Sequence, residues 1–145
     1  MKDNIILRIL AKLLVPLIRL FACYVQFHGD YSPGGGFQAG VIFSASFILY
    51  TLIFGIDTTE KVIPERILRL IASLGVLVYA GTGVTSLFMD GEFLNYSVLS
   101  SNALTGQHVG IILVELGVGL TVSSIMLLIF LAFANRGRTE EDAHD

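Results

Sequence analysis

The hydrophobic positions of the chain fall in four long runs that short polar connections separate. The runs cover about residues 4–28, 36–56, 67–89 and 108–134. Each is close to the ~20 residues that an α-helix needs to cross the ~30 Å hydrocarbon core of a bilayer. The pattern predicts an all-α integral membrane protein with about four transmembrane helices.

Composition excludes an ordinary soluble domain. Of the 145 residues, 54% are hydrophobic and 14% are charged, whereas roughly 25% charged residues are typical of a soluble domain. The net charge of −3 owes much to an acidic C-terminal end, so it offers no basic face for nucleic acid. The single cysteine, Cys23, excludes an intrachain disulfide bond.

The first run is ambiguous between a spanning helix and an interfacial helix, because it carries Arg8, Lys12 and Arg19. It is long, basic and without a clear small-residue cleavage site, so we expect it to be retained and not removed as a signal peptide.

Charge placement favours four spans. The basic residues at the ends of the runs and in the connections would then lie on one face of the membrane. They are Lys2, Arg8, Lys61, Arg66, Arg69, Arg136 and Arg138. By the positive-inside rule this face is cytoplasmic. The sequence therefore predicts one transmembrane domain over residues 1–135, a polar cytoplasmic tail over 136–145, and both termini in the cytoplasm.

A polar stripe follows the first helix. At 100° per residue, Arg8, Lys12, Arg19 and Gln26 lie within about 40° of one another. Arg8 and Lys12 are expected to extend toward the lipid head groups. Arg19 lies roughly 22 Å into the helix and is expected to face protein, water or an anionic partner.

Glu115 is the one carboxylate inside the last run. An unpaired charge there would cost several kcal/mol, so the group is expected to be protonated, paired or hydrated. A structural contact between helices and a direct role in moving protons or cations both remain open. His108 lies seven residues earlier on the same face, as a second candidate or as an ordinary interfacial residue. Glu115, His108, Arg19 and Lys12 are the candidate buried charges or ion-path groups, and similar estimated depths suggest that Arg19 pairs with Glu115.

The connection between the first two runs is the most distinctive segment. Proline prevents the first helix from continuing, and the glycines allow positive φ and close backbone approach. The motif residues are His28, Pro33, Gly34, Gly35, Gly36, Phe37 and Gly40. No spacing indicates a metal site, a cofactor or a catalytic set, so we predict none of these and no enzymatic activity.

This segment resembles the B subunit of Mrp-type multisubunit Na⁺/H⁺ antiporters, in which a His-containing turn precedes Pro-Gly-Gly-Gly-Phe and a small residue. The resemblance covers nearly the whole chain, including the polar start of the last helix at residues 105–110.

The resemblance implies a multi-pass subunit of the cell (plasma) membrane that works with other subunits, the lipid bilayer, and the transported Na⁺ and H⁺. Such a subunit is needed for assembly, and lining part of an ion path is one interpretation of its role. A related membrane subunit of a hydrogenase-type complex and a purely structural scaffold are the alternatives. A self-contained small transporter is a further possibility.

Overall fold

The computed structural model describes residues 5–29, 34–89, 91–100 and 102–142, with side chains up to 136. The described residues form five α-helices and one 3₁₀ helix. They are α1 (Ile5–Phe27), α2 (Gly36–Phe54), α3 (Ile56–Val62), α4 (Glu65–Phe88), the 3₁₀ helix (Tyr96–Leu99) and α5 (Ala103–Asp142). Within the described ranges there is no strand, so the all-helical prediction is confirmed.

In the part of the chain that the structure describes, three helices are long and apolar enough to cross a membrane. They are α2, α4 and the Ala103–Arg136 part of α5. The helix α1 contains Pro16 and the three basic residues of the polar stripe, and it is not among these three. The number of four spans therefore stays a prediction, as do the domain limits.

The helix ends differ from the predicted ones for local reasons. Gly55, with φ of 92°, ends α2, and Pro64 precedes the first residue of α4. The residues between them form the short helix α3, which hydropathy did not predict. At the start of α5, the Asn102 side chain accepts a hydrogen bond from the Leu104 amide at 3.1 Å. This cap lets α5 begin five residues before the predicted start at 108.

The helix α5 lies between α4 and α2, and small residues set its distance from α4. A Cβ atom added to Gly75 would lie 2.6 Å from the Gly117 carbonyl oxygen, and one added to Gly117 would lie 2.8 Å from the Gly75 oxygen. Thr121 donates a hydrogen bond to the Ala72 carbonyl at 3.4 Å. Close backbone approach of this kind is typical of packed membrane helices.

On its other side α5 packs against α2, and the two helices run in the same direction. Gly40 of α2 lies against the Gly119 carbonyl, where an added Cβ would be 2.8 Å from the oxygen. Further along, Phe47 joins a buried cluster whose other members are Leu68, Leu127 and Leu131. The contact extends to α3 and the last turns of α5, where Asn135 donates a hydrogen bond to Glu60 at 3.0 Å.

The helix α1 packs antiparallel along α2 through three small or branched residues, Ala11, Val15 and Ala22, which are buried. The polar stripe lies beside this seam. The Arg8 guanidinium lies 5.4 Å from the centre of the Phe54 ring, and that of Arg19 lies 3.9 Å from the Phe47 ring. At least these two stripe residues contact protein, as we predicted for Arg19.

The connection between α4 and α5 is folded onto both helices. The Phe93 ring fills the space beside Gly83, and the Tyr96 ring lies over Gly110. The Leu94 amide donates a hydrogen bond to Ser86 at 3.1 Å. Burial is the main cause that raises the pKa of the Tyr96 phenol, and nearby Tyr79 adds to it.

Candidate functional site

The Glu115 side chain contacts the glycine-rich turn between α1 and α2. A Cβ atom added to Gly35 would lie 2.8 Å from Glu115 Oε1, and one added to Gly29 would overlap both carboxylate oxygens. The residue is half-buried. Glu115 and the glycine-rich motif, which the sequence indicated separately, therefore form one site. We call it the Glu115 turn site and define it by Gly29, Gly35, Gly36 and Glu115.

The backbone of α5 approaches α2 most closely at the same place. A Cβ atom at Gly36 would overlap the Glu115 carbonyl oxygen and would lie 2.9 Å from its Cα atom. Gly36 is buried. Among the described glycines only Gly55 has positive φ, and Gly35 has an extended φ of −178°. The expectation of positive φ in the described part of the motif was therefore wrong, and close approach is what requires glycine here.

The carboxylate lies at the N-terminal end of α2, where backbone amides lack partners within the helix. The N-cap is Gly35, which has no side chain to accept their hydrogen bonds, and the first intrahelical bond of this end runs from the Ala39 amide to the Gly35 carbonyl. The N-terminal end of a helix carries a partial positive charge that stabilises a nearby anion. The Glu115 carboxylate therefore lies within reach of this partial positive charge.

A groove of about 370 Å³ opens beside the carboxylate. Its walls come from the start of α2 and from one face of α5. The lining includes Gly34, Phe37, Gln38, Glu115 and Val118. Glu115 and Gln38 supply the polar side chains of this lining.

The structure does not bring Arg19 to Glu115. Its Nε atom donates a hydrogen bond to Ser46 at 3.2 Å, and Ser46 lies ten residues after Gly36, roughly 15 Å further along α2. The predicted Arg19–Glu115 pair is therefore wrong. The physical reason is that α5 begins at Ala103, about 18 Å before Glu115 along the helix axis. The first turns of α5 therefore extend beyond the N-terminal end of α2, and Glu115 lies level with that end and not beside the middle of α2.

The other candidate residues are placed around this arrangement. Lys12 lines a second cavity together with Arg19 and Tyr50. His108 is exposed on the second turn of α5, and His28 stacks on the Tyr24 ring with 4.1 Å between ring centres. Of the motif residues, Gly34 and Phe37 line the groove and Gly40 packs on α5, while Pro33 lies outside the described residues.

Sequence reasoning missed several contacts of these groups. Gly29 was not singled out, and neither were Ser46 and Phe47 as the residues that hold Arg19. Gln26, the last residue of the polar stripe, contacts Gly119 of α5. No pattern in the sequence links positions that far apart, because each pairing depends on how the helices pack.

In the part of the chain that the structure describes, no group of three or more His, Cys, Asp or Glu side chains is arranged to hold a metal ion.

Comparison with known proteins decides the family. A family model described as a domain related to the MnhB subunit of Na⁺/H⁺ antiporters matches residues 6–128. The chain belongs to this family. The match covers α1 to α4 and most of α5, including every residue of the Glu115 turn site.

Curated relatives agree with the family assignment. Proteins named "Putative antiporter subunit mnhB2" from the Newman, JH1 and COL strains of Staphylococcus aureus are each 35% identical over 138 residues. The similarity spans 92% of this chain and 97% of each relative. With its three long apolar helices, this MnhB-family chain is a multi-pass membrane protein and a component of a transporter.

Proposed function

We propose that the chain is a small membrane subunit of a multisubunit Na⁺/H⁺ antiporter of the cell membrane, required for assembly and lining part of the ion path at Glu115. Membership of the MnhB family supports the first part of the proposal. The second part depends on one observation, which is the contact of the Glu115 carboxylate with the glycine turn at the N-terminal end of α2.

The surroundings of Glu115 suit a group that alternates between charged and neutral forms. The N-terminal end of α2 brings a partial positive charge close to the carboxylate, while the apolar Val114 and Val118 of α5 line the groove beside it. The groove supplies a route for the proton or cation. A carboxylate in these surroundings can release and rebind a proton, which is the elementary step of proton-coupled antiport.

We also propose that α1 is the fourth span. Its contacts run antiparallel to α2 from Arg8 beside Phe54 to Arg19 beside Phe47, and Gln26 reaches α5 beyond them. A helix that packs along α2 over this length lies at the same depth as α2. With α1 spanning, both termini and the basic α2–α4 connection fall on the cytoplasmic face.

Single cysteines in a Cys23→Ser background test this topology. A cysteine at Asn102 should react with an impermeant thiol reagent added to intact cells, whereas cysteines at Lys61 and at Ile5, the first residue of α1, should react only after the cells are opened. All three positions are exposed in the chain. External reaction at Ile5 would reject α1 as a span. External reaction at both Lys61 and Asn102 would reject the single span, α4, that we place between them, and the reverse pattern would reject the proposed orientation.

Deletion of the gene tests the proposed function as a whole. We expect Na⁺-dependent proton antiport in membrane vesicles to fall to background while the other subunits are still made, because the family role is that of a subunit. Expression of the chain from a plasmid should restore it. Full antiport without the chain would contradict the proposal.

Reconstitution distinguishes this proposal from a self-contained transporter. The purified chain alone in liposomes should show no cation-driven proton flux, and the purified complex should show it. Flux with the chain alone would reject the requirement for partner subunits.

A further inference from the structure

A second cavity lies between α1 and the end of α2, away from the Glu115 turn site. Its volume is about 320 Å³, and its lining includes Lys12 and Arg19 of α1 and Tyr50, Phe54 and Val62 on the opposite wall. Arg8 lies next to it, over the Phe54 ring. We call this cavity with Arg8, Lys12 and Arg19 the basic groove.

The basic groove brings three positive charges to one side of α1 without a described counter-charge. The Arg19 guanidinium is held by Ser46 and the Phe47 ring, and Arg8 lies over an aromatic ring. Among the residues that the structure describes, no salt bridge is formed by any of the three, whereas Arg69 pairs with Glu65. Cations on an apolar helix are costly unless an anion or water compensates them.

The groove opens beside the last residues of α2 and of the short helix α3. Phe54 is the last residue of α2 and Val62 the last of α3, so its opening is at the level at which the chain leaves the apolar region. Arg8 and Lys12 are one helical turn apart and both exposed. Long basic side chains at such positions extend toward phosphate groups.

An exposed apolar surface flanks the groove on α1. At 100° per residue the exposed Ile9, Leu13 and Leu20 follow the basic stripe on the side away from α2, whereas the buried Ala11 and Val15 precede it. The exposed fraction is 64% for Ile9, 61% for Leu13 and 67% for Leu20. Acyl chains can therefore lie along α1 directly beside the basic side chains.

We propose that the basic groove binds an anionic phospholipid, with its phosphate between Arg8 and Lys12 and its acyl chains against the exposed face of α1. The proposal rests on the part of the proposed function that makes α1 a span, and it does not depend on antiport. A carboxylate of a partner subunit is the competing occupant. The lipid is favoured because the two exposed cations lie at the mouth of the groove, where phosphates of the bilayer are present at high concentration.

Fluorescence quenching in vesicles measures this binding. The chain contains no tryptophan, so a Leu13→Trp variant of the full chain carries a single reporter beside the groove. Quenching by phosphatidylglycerol with brominated acyl chains is compared with quenching by the brominated phosphatidylcholine. We expect a preference for phosphatidylglycerol of roughly 25-fold, and of less than about twofold after Arg8→Gln with Lys12→Gln, since each of the two cations near the surface contributes about fivefold.

A matched control separates the groove from general surface charge. Lys61→Gln with Arg66→Gln also removes two exposed cations, but neither lines the groove, so the preference should be retained. Arg8→Lys with Lys12→Arg should retain it as well. An equal loss in the control variant, or no preference before substitution, would overturn the proposal.

Cross-linking in the assembled complex decides between the two occupants. A photoreactive group on the phosphatidylglycerol head group should label the first turns of α1, and the Arg8→Gln, Lys12→Gln variant should reduce the labelling. Absence of labelling together with poorer assembly of the variant would assign the groove to a partner carboxylate and reject the lipid. Failure of the proposed antiporter function would appear in the deletion experiment and would leave these measurements unchanged.

Discussion

Replacement of Gly36 by valine is expected to reduce the amount of assembled complex by about tenfold or more, because the new side chain has no room. A Cβ atom at this position overlaps the Glu115 carbonyl oxygen and comes within 2.9 Å of its Cα. These are backbone atoms of α5, so a change of rotamer cannot relieve the overlap. The helices α2 and α5 would have to separate, and the Glu115 turn site would be lost. The measurement is the yield of intact complex in blue native electrophoresis.

Gly81 provides the matched control for this substitution. It lies in α4, is exposed, and an added Cβ meets no atom within 4 Å. Gly81→Val should leave the yield of complex within about twofold, because valine is a better helix former than glycine. A normal yield for Gly36→Val would show that α2 does not pack on α5 as closely as the structure has it.

Replacement of Glu115 by glutamine is expected to leave assembly intact and to lower antiport by roughly tenfold or more, as loss of a proton-transferring group does. Glutamine has nearly the same shape as glutamate, so its contacts with Gly29 and Gly35 can persist. It cannot bind and release a proton, and it has no charge for the N-terminal end of α2 to stabilise. The measurement is ΔpH-driven Na⁺ flux in vesicles from pH 6 to 9, with the amount of complex determined in the same membranes.

Two further variants make the Glu115 result specific. Glu92→Gln changes an exposed carboxylate in the α4–α5 connection and should have no effect on antiport. Glu115→Asp keeps the ionisable group but shortens the side chain, and partial activity with an altered pH profile is expected. Normal antiport by Glu115→Gln at every pH would remove Glu115 from the ion path, and loss of assembly instead would make its role structural.

Combining a neutral residue at Arg19 with Glu115→Gln checks that Arg19 and Glu115 do not form a pair. Because Arg19 is held by Ser46 and Phe47, neutralising it should not rescue any defect of Glu115→Gln. The two sites are separated along α2, so their effects on assembly should be additive.

The sequence by itself determined the helical class, the approximate runs and the family. These depend on local properties, since the length of an apolar run, a proline or a glycine acts on its own segment whatever surrounds it. The segment around Gly35 and Gly36 could be recognised as important from its composition alone. Glu115 could be singled out as well, because a carboxylate in an apolar helix needs an explanation wherever the helix lies.

Only the tertiary structure decided what these residues contact. The depths in the membrane estimated from the sequence placed Arg19 and Glu115 at one level. However, α5 begins at Ala103, five residues before its predicted start, and its first turns extend beyond the N-terminal end of α2. Glu115 therefore contacts the glycine turn, and Arg19 contacts Ser46 and Phe47. The order of the helices, with α5 between α4 and α2, likewise follows from which small-residue faces fit together. Pairings across helices depend on the packing of the whole chain, so a pattern read along one segment cannot determine them.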